Sequence, residues 1–225
     1  MPRETLDRQI HHLQEEVLLL GSMDERAMLD AVDALKRRDL ATARRIYSED
    51  HLINEKRYAI ENAILILIAT QQPMARDLRL MAAILEVITE LERMGDYAKG
   101  IAKVTMRLGN SQISLGMREF TTMTDLAVSM LHRALGAFVA ENPQEAYEIP
   151  KDDDQVDNLY NEVYRTLVSA MIADPKIIDE ANLLMWVAHN IERLADRVTN
   201  ICERTVFIAT GELMEMDTDD EEETE

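Results

Sequence analysis

Two short stretches of this chain carry the residue types and spacing to hold a cation. Leu91-Glu92-Arg93-Met94-Gly95-Asp96 returns, one hundred positions later, as Ile191-Glu192-Arg193-Leu194-Ala195-Asp196. Each holds a Glu-x-x-x-Asp pair, and residues four apart are neighbours on a helix, where like charges repel. Beside apolar surface the cost rises unless a cation, an arginine or a shared proton compensates. Arg93, Arg193 and Arg197, or Lys99 in the first copy, are the ordinary compensators. Repetition at one register favours a purpose beyond simple ion pairing.

The elements that must position these pairs follow from their apolar neighbours. Ile84, Val87, Leu91, Met94, Ala98 and Ile101 answer to Leu184, Val187, Ile191, Leu194, Val198 and Ile201. Steps of three and four mark one buried stripe on an α-helix. The pattern reads as an internal repeat, two copies of one helical unit. The first unit spans 1–109 and the second 110–212. Helix 1 is predicted from about Thr5 to Arg38, with Asp39 as the N-cap of helix 2, which stops at Gln71-Gln72. Pro73 suits the first turn of helix 3, which Gly109-Asn110 closes. Helix 4 covers Met117 to Ala140. Helix 5 starts near Asn142-Pro143, is irregular across Ile149-Pro150 and ends at Ala173. Asp174-Pro175 opens helix 6, which runs to about Thr210. The expected fold is all-α, two tandem, pseudo-symmetric three-helix bundles of long antiparallel helices.

If helices 2 and 3 form a hairpin turning at Gln72-Pro73, Asp50 lies level with position 95, between Glu92 and Asp96, and Asn54 lies level with Leu91. The second hairpin sets Asp153 opposite Asp196 and Asp157 opposite Glu192. Four acids then converge in the second bundle, and three acids with one amide in the first. Carboxylates with hardly any thiolate or imidazole suit hard cations, iron or manganese. His189 stands three residues before Glu192 and could add an imidazole, where the first copy has Thr89. Other chemistry is thin. There is no Walker loop, no dinucleotide turn, no nucleophile with an evident base, and no Glu-x-x-His spacing of di-iron bundles. An enzyme is not expected.

Composition narrows the class. Hydrophobic residues make up 47% of the 225 positions but aromatics only 4%, and glycine and proline are few, which favours helices over sheets. The apolar run Ala63 to Ala69 is too short to cross a bilayer, so a cytoplasmic location is the default. Cys202 is the lone cysteine, excluding an internal disulfide, and its stripe position reads as a buried inert thiol. The net charge of −19 argues against nucleic acid as partner. Nine acids follow Thr210 with no base among them, and residues 213–225 read as a disordered acidic tail. The lysine-poor acidic surface also suits a protein kept in concentrated salt.

Three segments carry a family likeness: Gln71-Gln72-Pro73-Met74-Ala75-Arg76-Asp77-Leu78-Arg79, Leu91-Glu92-Arg93-Met94-Gly95-Asp96-Tyr97-Ala98, and Ile191-Glu192-Arg193-Leu194-Ala195-Asp196-Arg197-Val198-Thr199-Asn200-Ile201. With them the chain resembles the PhoU family of phosphate-signalling regulators, from helix 1 to about Glu212. The resemblance implies that Glu92/Asp96 and Glu192/Asp196 are metal-binding pairs for divalent or iron-type ions. The family's Asn four residues after the Asp is met by Asn200 but replaced by Gly100 in the first copy. Lys99 and Lys103 stand where the second copy has Thr199 and Glu203, so the second bundle should bind metal more tightly. The resemblance also implies a non-enzymatic role. The family restrains phosphate uptake through the ATPase subunit of a phosphate ABC transporter and damps a phosphate-sensing histidine kinase where one exists. The membrane is approached only through such partners, and a homodimer is compatible with the likeness. The rival readings are a metal-free helical scaffold and a di-iron carboxylate enzyme.

Overall fold

The computed structural model describes residues 2–109, 111 and 113–216, and all its regular structure is helical. The long helices are α1 (Pro2–Arg37), α2 (Leu40–Gln71), α3 (Arg76–Leu108), α4 (Met117–Ala140), α6 (Asp153–Ala173) and α7 (Ile178–Thr210). A short α5 (Pro143–Glu148) and a 3-10 turn (Ile149–Asp152) lead into α6, as Ile149-Pro150 foretells. A second 3-10 turn (Pro175–Ile177) precedes α7.

Caps explain the breaks. The Asp39 carboxylate accepts the Ala41 and Thr42 amides at 3.0 Å each, which satisfies two otherwise orphaned donors of α2. Asn142 does the same for α5 through the Glu145 amide, with Pro143 at the first helical position. Gly211, at φ +83°, closes α7 in the left-handed conformation that glycine adopts without strain. One expectation is corrected. Pro73 does not open α3; it lies buried in the turn between Gln72 and Ala75, both at positive φ, and the helix begins at Arg76.

Helices α1, α2 and α3 pack together, as do α4, α6 and α7, while α3 lies along α7 and α1 along α4. One continuous apolar core runs through both bundles. The correspondence extends to every helix. The caps Asp39 and Asn142 stand 103 positions apart, and the buried Val17, Leu20, Met28, Ala31 and Leu35 of α1 match Phe120, Met123, Leu131, Ala134 and Phe138 of α4 at that spacing. Likewise Ala43, Ile46, Ile53, Ile60 and Ile64 match Ala146, Ile149, Val156, Val163 and Leu167.

The seam between the bundles shows the pseudo-twofold directly. Arg197 donates to the Tyr97 hydroxyl at 3.3 Å, a contact between two corresponding positions. Arg197 and Asn200 also converge on the Glu90 carboxylate, at 3.3 and 3.2 Å. In the mirrored contact Gly100 faces Asn190, and a methyl group on Gly100 would meet the Asn190 amide at 2.9 Å. Beyond α7, the Met216 amide bonds Glu203 at 2.9 Å and its side chain rests on the core. Met214, which accepts from the Tyr147 hydroxyl, and Met216 thus tie the start of the expected tail to the second bundle; 217–225 fall outside the described residues.

Candidate metal centre

Glu92 and Glu192 are half-buried beside the core stripes of α3 and α7, and Asp96 and Asp196 stand one turn on, exposed. The facing helices contribute Asp50 and Asp153, both buried. Asn54 and Asp157 follow them at corresponding positions. Equivalent places in the two bundles thus hold equivalent acids, but the surroundings differ.

In the first bundle the chain supplies its own cation. The Lys99 ammonium lies 2.7 Å from Asp50 Oδ2 and 3.5 Å from Asp96 Oδ1, and the Asn54 amide donates to Asp50 at 3.3 Å. Asp50 therefore meets Lys99, farther along α3 than the hairpin geometry expects, and Ile53 lies against Gly95 instead. Burial raises the Glu92 carboxyl above its ordinary value, with Asp96 and Asp50 adding and Arg57 and Arg93 opposing.

One acid of this bundle escapes the sequence expectations. Asp24 of α1 is 1% exposed, and neither of its oxygens has a hydrogen-bond partner. Burial pushes its carboxyl well above the usual range, and Asp50, Glu25 and Glu92 push it further. Gly95 makes room for it: a methyl group there would stand 3.1 Å from Asp24 Oδ1 and 2.9 Å from Ile53 Cδ1. The second bundle has Ala127 and Ala195 at these two places. The available signal was positional, since Asp24 continues the stripe of Leu13, Val17 and Leu20.

The second bundle has Thr199 in place of Lys99. Asp153 is 6% exposed and its Oδ1 is unpartnered. Burial, then Asp157, Asp196 and Glu192, raise its carboxyl to about 7. Glu192 reaches about 7 as well, through burial first, then Asp196 and Asp157, against Arg193. Its Oε2 is buried and makes no hydrogen bond, although His189 Nδ1 lies 3.3 Å away, off the direction a hydrogen bond requires. Burial and then Arg193 lower the His189 basicity, with Asp196 opposing.

Asp153 and Glu192 each feel Asp157 and Asp196, so the helices bring the four acids into one electrostatic group. Among the described residues, no three acidic, histidine or cysteine side chains are gathered tightly enough to chelate one ion as they stand. Ligation would need side-chain rotation on fixed helices. The donor set nevertheless fits a cation, because two buried carboxylate oxygens have nothing else to satisfy them. In the first bundle Lys99 fills that role for Asp50, while both oxygens of Asp24 stay unpartnered.

Asn200 is not with this group. Its amide is committed to Glu90 across the seam, so the structure gives it a packing role between bundles where the family likeness implies a ligand. Cys202 is buried and its thiol is pushed up to about 12, chiefly by burial, which makes it inert near neutral pH.

Comparison with known proteins agrees with this architecture. The family model for the PhoU domain matches residues 6–105 and again 120–205. The phosphate-specific transport system accessory protein PhoU homolog of Clostridium acetobutylicum is 35% identical over 96% of this chain and 99% of its own length. The homolog of the same name from Streptococcus pneumoniae is 33% identical over 95% and 99%. Among solved structures, the phosphate transport system regulatory protein PhoU from Streptococcus pneumoniae superposes with a TM-score of 0.87 at 32% identity, covering 94% of this chain and all of that one. PhoU from Pseudomonas aeruginosa gives 0.86 at 28% identity, covering 92% of this chain and 99% of its own. With its all-helical, pseudo-symmetric fold and likeness along nearly its whole length, the chain belongs to the PhoU family.

Proposed function

We propose that this protein is an accessory regulator of a phosphate-specific transport system, restraining phosphate uptake by binding the transporter's ATPase subunit and, where one exists, a phosphate-sensing histidine kinase. It acts in the cytoplasm, as a non-enzymatic protein of two repeated units, 1–109 and 110–212. The observation that carries the reading is likeness along nearly the whole chain: a relative named as a phosphate-specific transport system accessory protein is 35% identical and aligned over 99% of its own length. No helix among the described residues is long and apolar enough to cross a membrane, so contact with the membrane would run through the transporter.

A divalent or iron-type cation belongs to this reading, held in the second bundle by Glu192, Asp196, Asp153 and Asp157. The buried, unpartnered oxygens of Asp153 and Glu192 support it. The first bundle's set, Glu92, Asp96 and Asp50, would have to displace Lys99 and takes metal more weakly. The cation would draw the facing helices together and fix the surface offered to the partner.

Deleting the coding sequence tests the role. The deletion strain should take up phosphate faster in phosphate-rich medium, and the wild-type chain should restore the restraint. Uptake that is the same with and without the protein would count against it.

A further inference from the structure

The first bundle holds a cavity of about 340 Å³ between α1 and α2, with Gly95 of α3 among its lining residues. Met23 and Ala27 of α1 and Ile46 and Ile53 of α2 give it apolar walls, and Asp50 lines it as well. The repeat explains its presence. Ala27 corresponds to Met130 of α4, which is 1% exposed, and Gly95 corresponds to Ala195. Ile46 and Ile53 answer to the buried Ile149 and Val156. The apolar frame is therefore kept, while the large buried side chain of the second bundle is cut back to a methyl group in the first. Walls left without their filling side chain lose packing contacts that a ligand restores.

The polar groups select that ligand. Lys99 and Asn54 both bond Asp50 through Oδ2, at 2.7 and 3.3 Å, so Oδ1 is left to a donor in the cavity. Asp24, more than nine-tenths buried and with neither oxygen partnered, lies against Gly95, where a methyl group would stand 3.1 Å from its Oδ1. Lys99 answers only one of these two acids. At the exposed rim the charges are already matched: Arg45 pairs with Asp30 and with Glu49 at 3.0 Å each, and Arg26 lies 3.8 Å from Asp30. Negative charge is thus left over beside apolar walls. An anion or a plain hydrocarbon leaves it unanswered, whereas one ammonium on a short alkyl chain satisfies both halves.

We propose that this cavity binds a small aliphatic monoamine. Its alkyl chain takes the place that corresponds to Met130, and its ammonium donates to Asp50 Oδ1, with Asp24 adding negative potential. Asp50, counted above with the first bundle's acids, here accepts from an organic cation. The site needs no metal and none of the second bundle's acids, so its failure leaves the regulatory and metal readings standing.

The test titrates the full chain, stripped of metal, with n-pentylamine and with 1-pentanol at neutral pH, by calorimetry and by the NMR signals of labelled methionine methyl groups. The amine should bind at least about fivefold more tightly than the alcohol and shift the Met23 signal. Ala27→Met, which copies the second bundle's residue, should weaken amine and alcohol alike by about tenfold or more. Asp50→Asn should weaken the amine by about tenfold and the alcohol by less than about twofold. Circular dichroism checks that both variants are folded, and the comparison of amine with alcohol on the wild type needs neither of them. An amine that leaves the Met23 signal in place, or binds no better than the alcohol, overturns the proposal. So does a folded Ala27→Met protein with wild-type amine affinity, or a folded Asp50→Asn protein that loses both ligands equally.

Discussion

Lys99 Nζ sits 2.7 Å from Asp50 Oδ2 and reaches Asp96 at 3.5 Å, so the first bundle's acids are neutralised by a tethered ammonium. The second bundle has Thr199 there. Lys99→Thr copies the second bundle's residue into the first. The metal-free variant should lose about 1–2 kcal/mol of stability, since a charge-assisted hydrogen bond to a buried carboxylate is removed and Asp50 is left without it. Its first bundle should gain metal affinity. Thermal denaturation with and without Mn2+ checks both effects: a lower melting temperature than wild type without metal, and a larger upward shift with it.

Asp153 and Glu192 make the stability of the metal-free protein depend on pH. Both carboxyls are raised from ordinary values of 3.8 and 4.5 to about 7. A group with its folded pKa raised contributes stability that is full below its unfolded pKa and lost as pH rises through its folded pKa. The metal-free chain should therefore weaken between about pH 4 and pH 7, by on the order of 3 kcal/mol for the coupled pair. Asp153→Asn should flatten this slope. Urea unfolding at a series of pH values measures it, and a metal-free protein that instead gains stability across that window contradicts the assignment.

Asp24 and Gly95 form a matched pair of large and small, where the second bundle has two alanines. Gly95→Ala alone should destabilise by about 1–2 kcal/mol, because crowding against Asp24 and Ile53 outweighs alanine's better helix propensity. Asp24→Ala alone should stabilise above neutral pH, since an orphaned buried carboxyl is removed. The double variant should recover most of the Gly95→Ala loss. Chemical denaturation of the four proteins gives the coupling, and strict additivity would show that the two residues do not meet.

Asn200 should affect packing more than metal. Asn200→Ala removes its hydrogen bond to Glu90 across the seam and should cost about 1 kcal/mol. Metal affinity should stay within about twofold of wild type, and titration calorimetry on that variant reads it.

What the sequence disclosed depended on repetition. The apolar stripes of α3 and α7 give two buried helix faces outright, and caps such as Asp39 and Asn142 place the helix ends because each must satisfy specific amides. Hairpin length sets Asp153 opposite Asp196 and Asp157 opposite Glu192, four acids that influence one another electrostatically in the second bundle. Three features stay hidden for physical reasons. Asp24 is visible only as an acid on an apolar stripe, and nothing local says that Gly95 gives it space. The role of Asn200 depends on α3 crossing α7, a long-range contact without a sequence period. Gly100, which looks like a lost ligand, is the small residue that lets Asn190 approach.

Metal content of the protein purified without chelator, measured by elemental analysis alongside Glu92→Gln and Glu192→Gln, tests the central claim most directly. The account predicts stoichiometric transition metal in the wild type, little change in Glu92→Gln, and loss of most of the ion in Glu192→Gln. A wild-type protein free of metal, or equal losses from the two variants, would contradict a cation centred on the second bundle.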